Sequence, residues 1–169
     1  MERLLIGLKP YLSALDTEQK IELATRLIAS GYGEQKTIAL ALLEAVPEYF
    51  APQRFDHLES LISGLQGWSK IDRVTRVVLP RVLEIHERDM IELLGHWNAH
   101  HDLWLRRASV VIFTRKIAKS GSHKDVALRH CNALLYDPEY LVQTGVGWCL
   151  RDLMRWHKGE LLNYVRNIR

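Results

Sequence analysis

The sequence predicts an all-α fold, and three observations predict it. Apolar residues recur with a period near 3.6 along almost the whole chain, no segment alternates in the two-residue rhythm of a strand, and Gly, Pro and capping residues punctuate the chain every ten to twenty positions. The 169 residues suit one domain with a sizeable core, and a hydrophobic content of 47% is globular. We therefore expect a single domain over residues 1–169, built from about ten amphipathic helices.

The elements follow in order. The opening "MERLLIGLKPYLSALD" is amphipathic and lacks a small-residue cleavage site, so no signal peptide is expected. In "DTEQKIELATRLIASG", Asp16 caps a helix, Gln19 completes a capping box and Gly31 ends it. Ile21, Leu23, Ala24, Leu27 and Ile28 form its buried stripe. "EQKTIALALLEAV" is closed by Pro47, and "PQRFDHLESLISGLQG" runs from a first-turn Pro52 to Gly67. "SKIDRVTRVVLPRVLEIH" covers 69–86, with Pro80 kinking or breaking it. "RDMIELLGHWNAH" follows. "DLWLRRASVVIFTRKIAKSG" reads as one long helix capped by Asp102 and stopped at Gly121. "SHKDVALRHCNALLYD", "PEYLVQTGVGWCLRDLMRWH" from Pro138, and "KGELLNYVRNIR" complete the chain.

Short links between amphipathic helices imply antiparallel neighbours. Helix pairs recurring at about 35–45 residues resemble HEAT or armadillo units, which stack into a curved solenoid. A compact irregular bundle stays open as the alternative. No apolar run approaches the roughly 20 residues of a membrane span, so no membrane partner and a cytoplasmic location are expected.

Cys131 and Cys149 both lie in apolar helical patterns and read as buried reduced thiols. His96 and His100 have the i, i+4 spacing of a metal pair, but no acidic or cysteine ligand completes a set, so no metal is expected. The net charge of +3 is unevenly spread: residues 1–65 carry 6 Lys/Arg against 9 Asp/Glu, and residues 66–169 carry 17 against 11. A basic second half suggests a polyanionic partner.

Three helices share a further feature. Trp68 precedes Asp72 by four positions, Trp104 precedes Arg107 by three, and Trp148 precedes Arg151 by three. Residues so spaced are neighbours on a helix surface, so each site sets an indole beside a charge. Taken singly, each reads as a core or seam tryptophan with its charge outside.

Taken in order, "GWSKID", "DLWLRRASVV" and "VGWCLRDLMRW" resemble the DNA alkylation repair family, the AlkD-type DNA glycosylases built from HEAT-like repeats. The resemblance spans roughly residues 33–169 and implies an enzyme that excises N3- or N7-alkylated purines from double-stranded DNA. It implies that Asp72 is the catalytic carboxylate, that Trp68 and Trp148 flank the lesion, and that Arg107 holds the DNA backbone. Trp104, Arg106 and Arg151 fall among the DNA-binding residues. Ser69 stands where the family pattern has a first aspartate. No cofactor is implied, and the expected state is a monomer on damaged duplex DNA.

The chemistry suits these residue types. An N-alkylated purine is cationic and leaves readily, so positive charge builds on the sugar. One fixed carboxylate stabilises that charge and orients water, and a cationic leaving group needs no acid. Indole faces attract a cationic base, and arginines hold phosphates. Two rival readings remain. One is a helical protein that binds distorted or branched DNA without cutting, and the other is a protein-interaction scaffold.

Overall fold

Side-chain caps decide where several helices begin. Asp16 accepts the Gln19 N–H at 2.8 Å, while the Gln19 side chain accepts the Asp16 N–H at 3.0 Å, a reciprocal capping box. The computed structural model describes residues 2–167, with side chains from 6 to 166. Among these residues the fold is all-helical, with no strand. Contacts gather the chain into two compact units, Met1–His86 and Glu87–Arg169.

The first unit holds α1 (Glu2–Ala14), α2 (Thr17–Ala29), α3 (Gly33–Leu43), two 3-10 turns at Pro47–Tyr49 and Pro52–Arg54, α4 (Phe55–Leu65), α5 (Trp68–Val77) and α6 (Leu79–Ile85). α2 packs on α3 and α4, and α5 packs on α3, α4 and α6. Ile21, Ala24 and Ile28 are buried, and Leu23 and Leu27 are half-buried at the edge of the same stripe. Leu40, Leu58, Ile71, Val74 and Val82 close the core with no exposed surface. Burying each such side chain stabilises the fold by about 1.5–3 kcal/mol before entropy is counted. Pro80 breaks the helix as expected, since it cannot donate into the preceding turn. α5 stops at Val77, and Pro80 enters the first turn of α6.

The second unit holds α7 (Glu87–Asn98), α8 (Leu103–Val111), α9 (Arg115–Ser120), α10 (Lys124–Ala133), α11 (Tyr140–Trp156) and α12 (Lys158–Asn167). α11, of 17 residues, is its axis: α8, α9, α10 and α12 all pack against it. Trp97 is the fully buried indole, joined in the core by Leu94, Leu105, Phe113 and Val142. Asn98, Ser109 and His130 tie three helices together. The Asn98 amide donates to Ser109 Oγ at 2.9 Å and to the His130 carbonyl at 3.3 Å, and His130 Nδ1 lies 3.0 Å from the Ser109 carbonyl.

One expected element is two. The stretch 102–121 is not a single helix: α8 ends at Val111 and α9 begins at Arg115. Thr114 Oγ1 donates back to the Val111 carbonyl at 2.8 Å, and Arg115 takes a left-handed φ of 53°. The Asp102 cap and the Gly121 stop hold, with Asp102 accepting the Trp104 N–H at 2.7 Å and Gly121 at φ 73°.

Cys131 on α10 and Cys149 on α11 are buried free thiols, as expected. Their mutual hydrogen bond and their burial push the Cys149 thiol well above its ordinary range. No helix among the described residues is long and apolar enough to cross a membrane.

Candidate functional site

Sequence reasoning singled out α5, and its entry is unusual. Gln66 has φ 45° and Gly67 has φ 129°, so two consecutive residues adopt positive φ directly before Trp68. Glycine is the residue that tolerates φ 129°, and it lets the chain reverse and start a new helix at once. Trp68 opens that helix with 58% of its surface exposed. Asp72 follows one turn later and is half-buried. An indole this open is not a core residue, so its face is available to a partner.

Two of the cations near Asp72 in sequence, Lys70 and Arg73, are engaged with α3 and its C-terminal cap. Lys70 Nζ donates to Thr37 Oγ1 at 2.9 Å, and Arg73 Nε meets Glu44 at 2.6 Å. Glu44 is thus the partner of Arg73, with three-quarters of its side chain covered. These two bonds tie α5 to α3 and its C-terminal cap.

The arginines of α8 have turned inward. Arg106 donates through Nε to Asp137 Oδ2 at 2.7 Å, through one terminal nitrogen to Asp137 Oδ1 at 3.2 Å, and through the other to the carbonyls of His100 and His101, each at 2.8 Å. Its guanidinium locks the loop before α8 to the loop before α11. Four of its five N–H donors are thus engaged within the protein. Arg107 is 5% exposed and donates to the Leu141 carbonyl and to Thr144 Oγ1, fastening α8 to α11. Gly145 lies against the same seam, where a Cβ would come within 3.2 Å of Val111. Trp104 is half-buried at the start of α8. His100 Nδ1 accepts the Asp102 N–H at 3.0 Å, and its ring lies 4.1 Å from that of His101.

Between α9 and α11 lies a groove of about 460 Å³. Five cations line it: Arg115, Lys116 and Lys119 from α9, and Arg151 and Arg155 from α11. Two indoles, Trp148 and Trp156, and one carboxylate, Asp152, complete the lining. The Arg115 guanidinium sits 5.4 Å from the Trp148 ring centre. Lys119 and Arg155 sit 5.1 and 5.6 Å from that of Trp156. Asp152 accepts the Arg115 backbone N–H at 2.8 Å and lies 3.9 Å from Arg151 Nε. Five positive groups around a single acid make a site for a polyanion.

A family model described as DNA alkylation repair enzyme matches residues 7–168. The chain belongs to the DNA alkylation repair family. The resemblance carried by the three tryptophan motifs is thereby borne out, together with DNA as the substrate of a repair enzyme. The search of curated proteins returned no match.

Of the residues expected at the site of this DNA alkylation repair protein, the structure brings Trp148 and Arg151 together in the groove and keeps Trp68 and Asp72 together on α5. It places Arg106 and Arg107 among internal bonds. Sequence reasoning missed Arg115, Lys116, Lys119 and Trp156. A signal was present: Arg115 and Lys119, like Arg151 and Arg155, are four apart, which puts a basic stripe on each of two helices.

Proposed function

We propose that this DNA alkylation repair protein is a monofunctional glycosylase. It hydrolyses the N-glycosidic bond of purines carrying an alkyl group at N3 or N7 in double-stranded DNA. The observation that carries the reading is the α5 pair, an open indole one turn before a half-buried carboxylate, in a chain of this family. Both units are taken as parts of one glycosylase domain over 1–169, acting as a monomer.

In this reading the alkylated base departs with the bonding electron pair and becomes neutral. The sugar carbon left behind carries the positive charge, which the Asp72 carboxylate stabilises. Water adds its oxygen to that carbon, and its proton passes to the carboxylate and on to solvent. Trp68 lies beside the carboxylate with a free face for the cationic nucleotide. The reaction as written involves no metal or cofactor.

Trp148 is also assigned to the lesion's surroundings, although a guanidinium lies over its ring. Arg151, with 73% of its side chain exposed, is assigned to phosphate. Arg107 acts by fixing α11, the helix that carries Trp148 and Arg151, against α8.

The experiment is release of methylated purine from alkylated duplex DNA, followed by chromatography. Wild type is expected to release it. Asp72→Asn is expected to slow release on the order of 100-fold or more, the usual scale for removing a fixed stabiliser of transition-state charge. Salt-sensitive DNA binding with no base release would replace the glycosylase by the non-cutting binding module, a reading that the exposed Ser69 in place of the motif's first acid favours.

A further inference from the structure

The groove between α9 and α11 is more than a basic patch, because three of its five cations are seated on indole faces. Two indoles and a carboxylate fix them: Trp148 carries Arg115, Trp156 carries Lys119 and Arg155, and Asp152 holds the Arg115 backbone in its left-handed conformation while it faces Arg151. Long cationic side chains on an open surface lose rotamer freedom when they bind, and cations already seated on aromatic faces lose less.

Five cations against one acid give the groove a strongly positive balance. A run of phosphates is what this balance attracts. The length is suitable. Trp148 and Trp156 are eight residues apart on α11, about 12 Å along the helix axis. One DNA strand carries a charge about every 3.4 Å of duplex axis, so such a span meets about three consecutive phosphates.

We infer that the α9–α11 groove, with Trp156, Lys119, Arg155 and Arg115 as its working residues, grips the sugar-phosphate backbone of one duplex strand whether or not the DNA is damaged. In this site Trp156 acts as a cation holder. The inference rests on the proposed action on DNA, and it separates gripping the strand from handling the lesion.

The test is fluorescence anisotropy with the full-length protein and a labelled 20-base-pair duplex, undamaged or carrying one 7-methylguanine. Both are titrated from low to moderate salt in the Asp72→Asn background. Lys119→Gln/Arg155→Gln removes two phosphate partners, so the slope of log K against log[salt] should fall by about 1.8. Affinity at 0.1 M salt should fall about 60-fold, the factor that slope generates between 1 M and 0.1 M. Both duplexes should lose affinity equally.

Trp156→Leu keeps every cation, so it should lower affinity several-fold while leaving the slope unchanged. Circular dichroism checks that the surface variants are folded. An unchanged slope in the double variant overturns the inference, and so does a loss confined to the damaged duplex. Unchanged affinity in Trp156→Leu overturns the holder role of the indole. None of these readouts needs base release, so a protein that cuts nothing would sink the glycosylase reading and still leave the groove under test.

Discussion

Replacing Arg106 by alanine is expected to destabilise the protein far more than removing a surface arginine would. The guanidinium makes four bonds, two to Asp137 and one each to the carbonyls of His100 and His101. The Asp137 side chain is only 5% exposed and that of Arg106 only 13%, so solvent screens the pair weakly. Truncation leaves a buried carboxylate without its counter-charge, a change that typically costs about 3–5 kcal/mol. Asp137 keeps one donor, the Glu139 N–H at 2.9 Å, which argues for the lower end.

A loss of about 3 kcal/mol in a chain of this size lowers Tm by roughly 6–12 °C. Arg106→Lys retains the charge and loses the planar fork, so roughly half that loss is expected. Thermal and urea melts of the three proteins measure it, with duplex affinity read in parallel. If Arg106→Ala melts within about 2 °C of wild type and instead loses DNA affinity, the guanidinium is free for phosphate and does not tie the two loops together.

Other outcomes follow from the same geometry. Gly67→Ala puts a side chain at φ 129° and should cost roughly 1–3 kcal/mol in a urea melt. Gly147→Ala is the matched control: it lies inside α11 with open space at its Cβ, and should stabilise by about 0.5–1 kcal/mol. Burial lowers the His130 pKa below 6.5, with the Ser109 hydrogen bond acting in the opposite sense. The unfolded chain therefore takes up a proton near pH 6.5 that the folded protein refuses. Stability should be fully present above pH 6.5 and fall as pH drops from there toward the lower folded pKa. Urea melts at pH 7.5 and 5.5 should show that loss, and a His130→Gln variant should show less of it.

The fold was legible where local chemistry decides it. Asp16 with Gln19, Asp102, Gly121 and Pro80 each act within one helical turn, and each does what its sequence context dictates. The break at 112–114 was not legible, because "VVIF" continues the helical period straight through it. What ends α8 is partly long-range, an Arg115 N–H held by Asp152 from 37 residues away. The same limit governs the candidate site. Spacing showed that Trp104 and Arg107 share a face, but not that the arginine on it would be covered by α11. All five tryptophans sit at helical spacing, and only packing distinguishes the sealed Trp97 from the open Trp68. The groove needed both the break before Arg115 and the pairing of α9 with α11, and neither is written in one stretch of chain.

Cells that carry alkylated DNA also contain the electrophiles that made it, and a thiolate is a better target for those reagents than a nucleobase. The sequence has two cysteines, and both are fully covered and share a hydrogen bond that keeps Cys149 protonated. Iodoacetamide should leave both unlabelled in the native protein and modify both in urea, and labelling without denaturant would contradict this. A protein so built can work amid methylating agents without itself becoming their casualty.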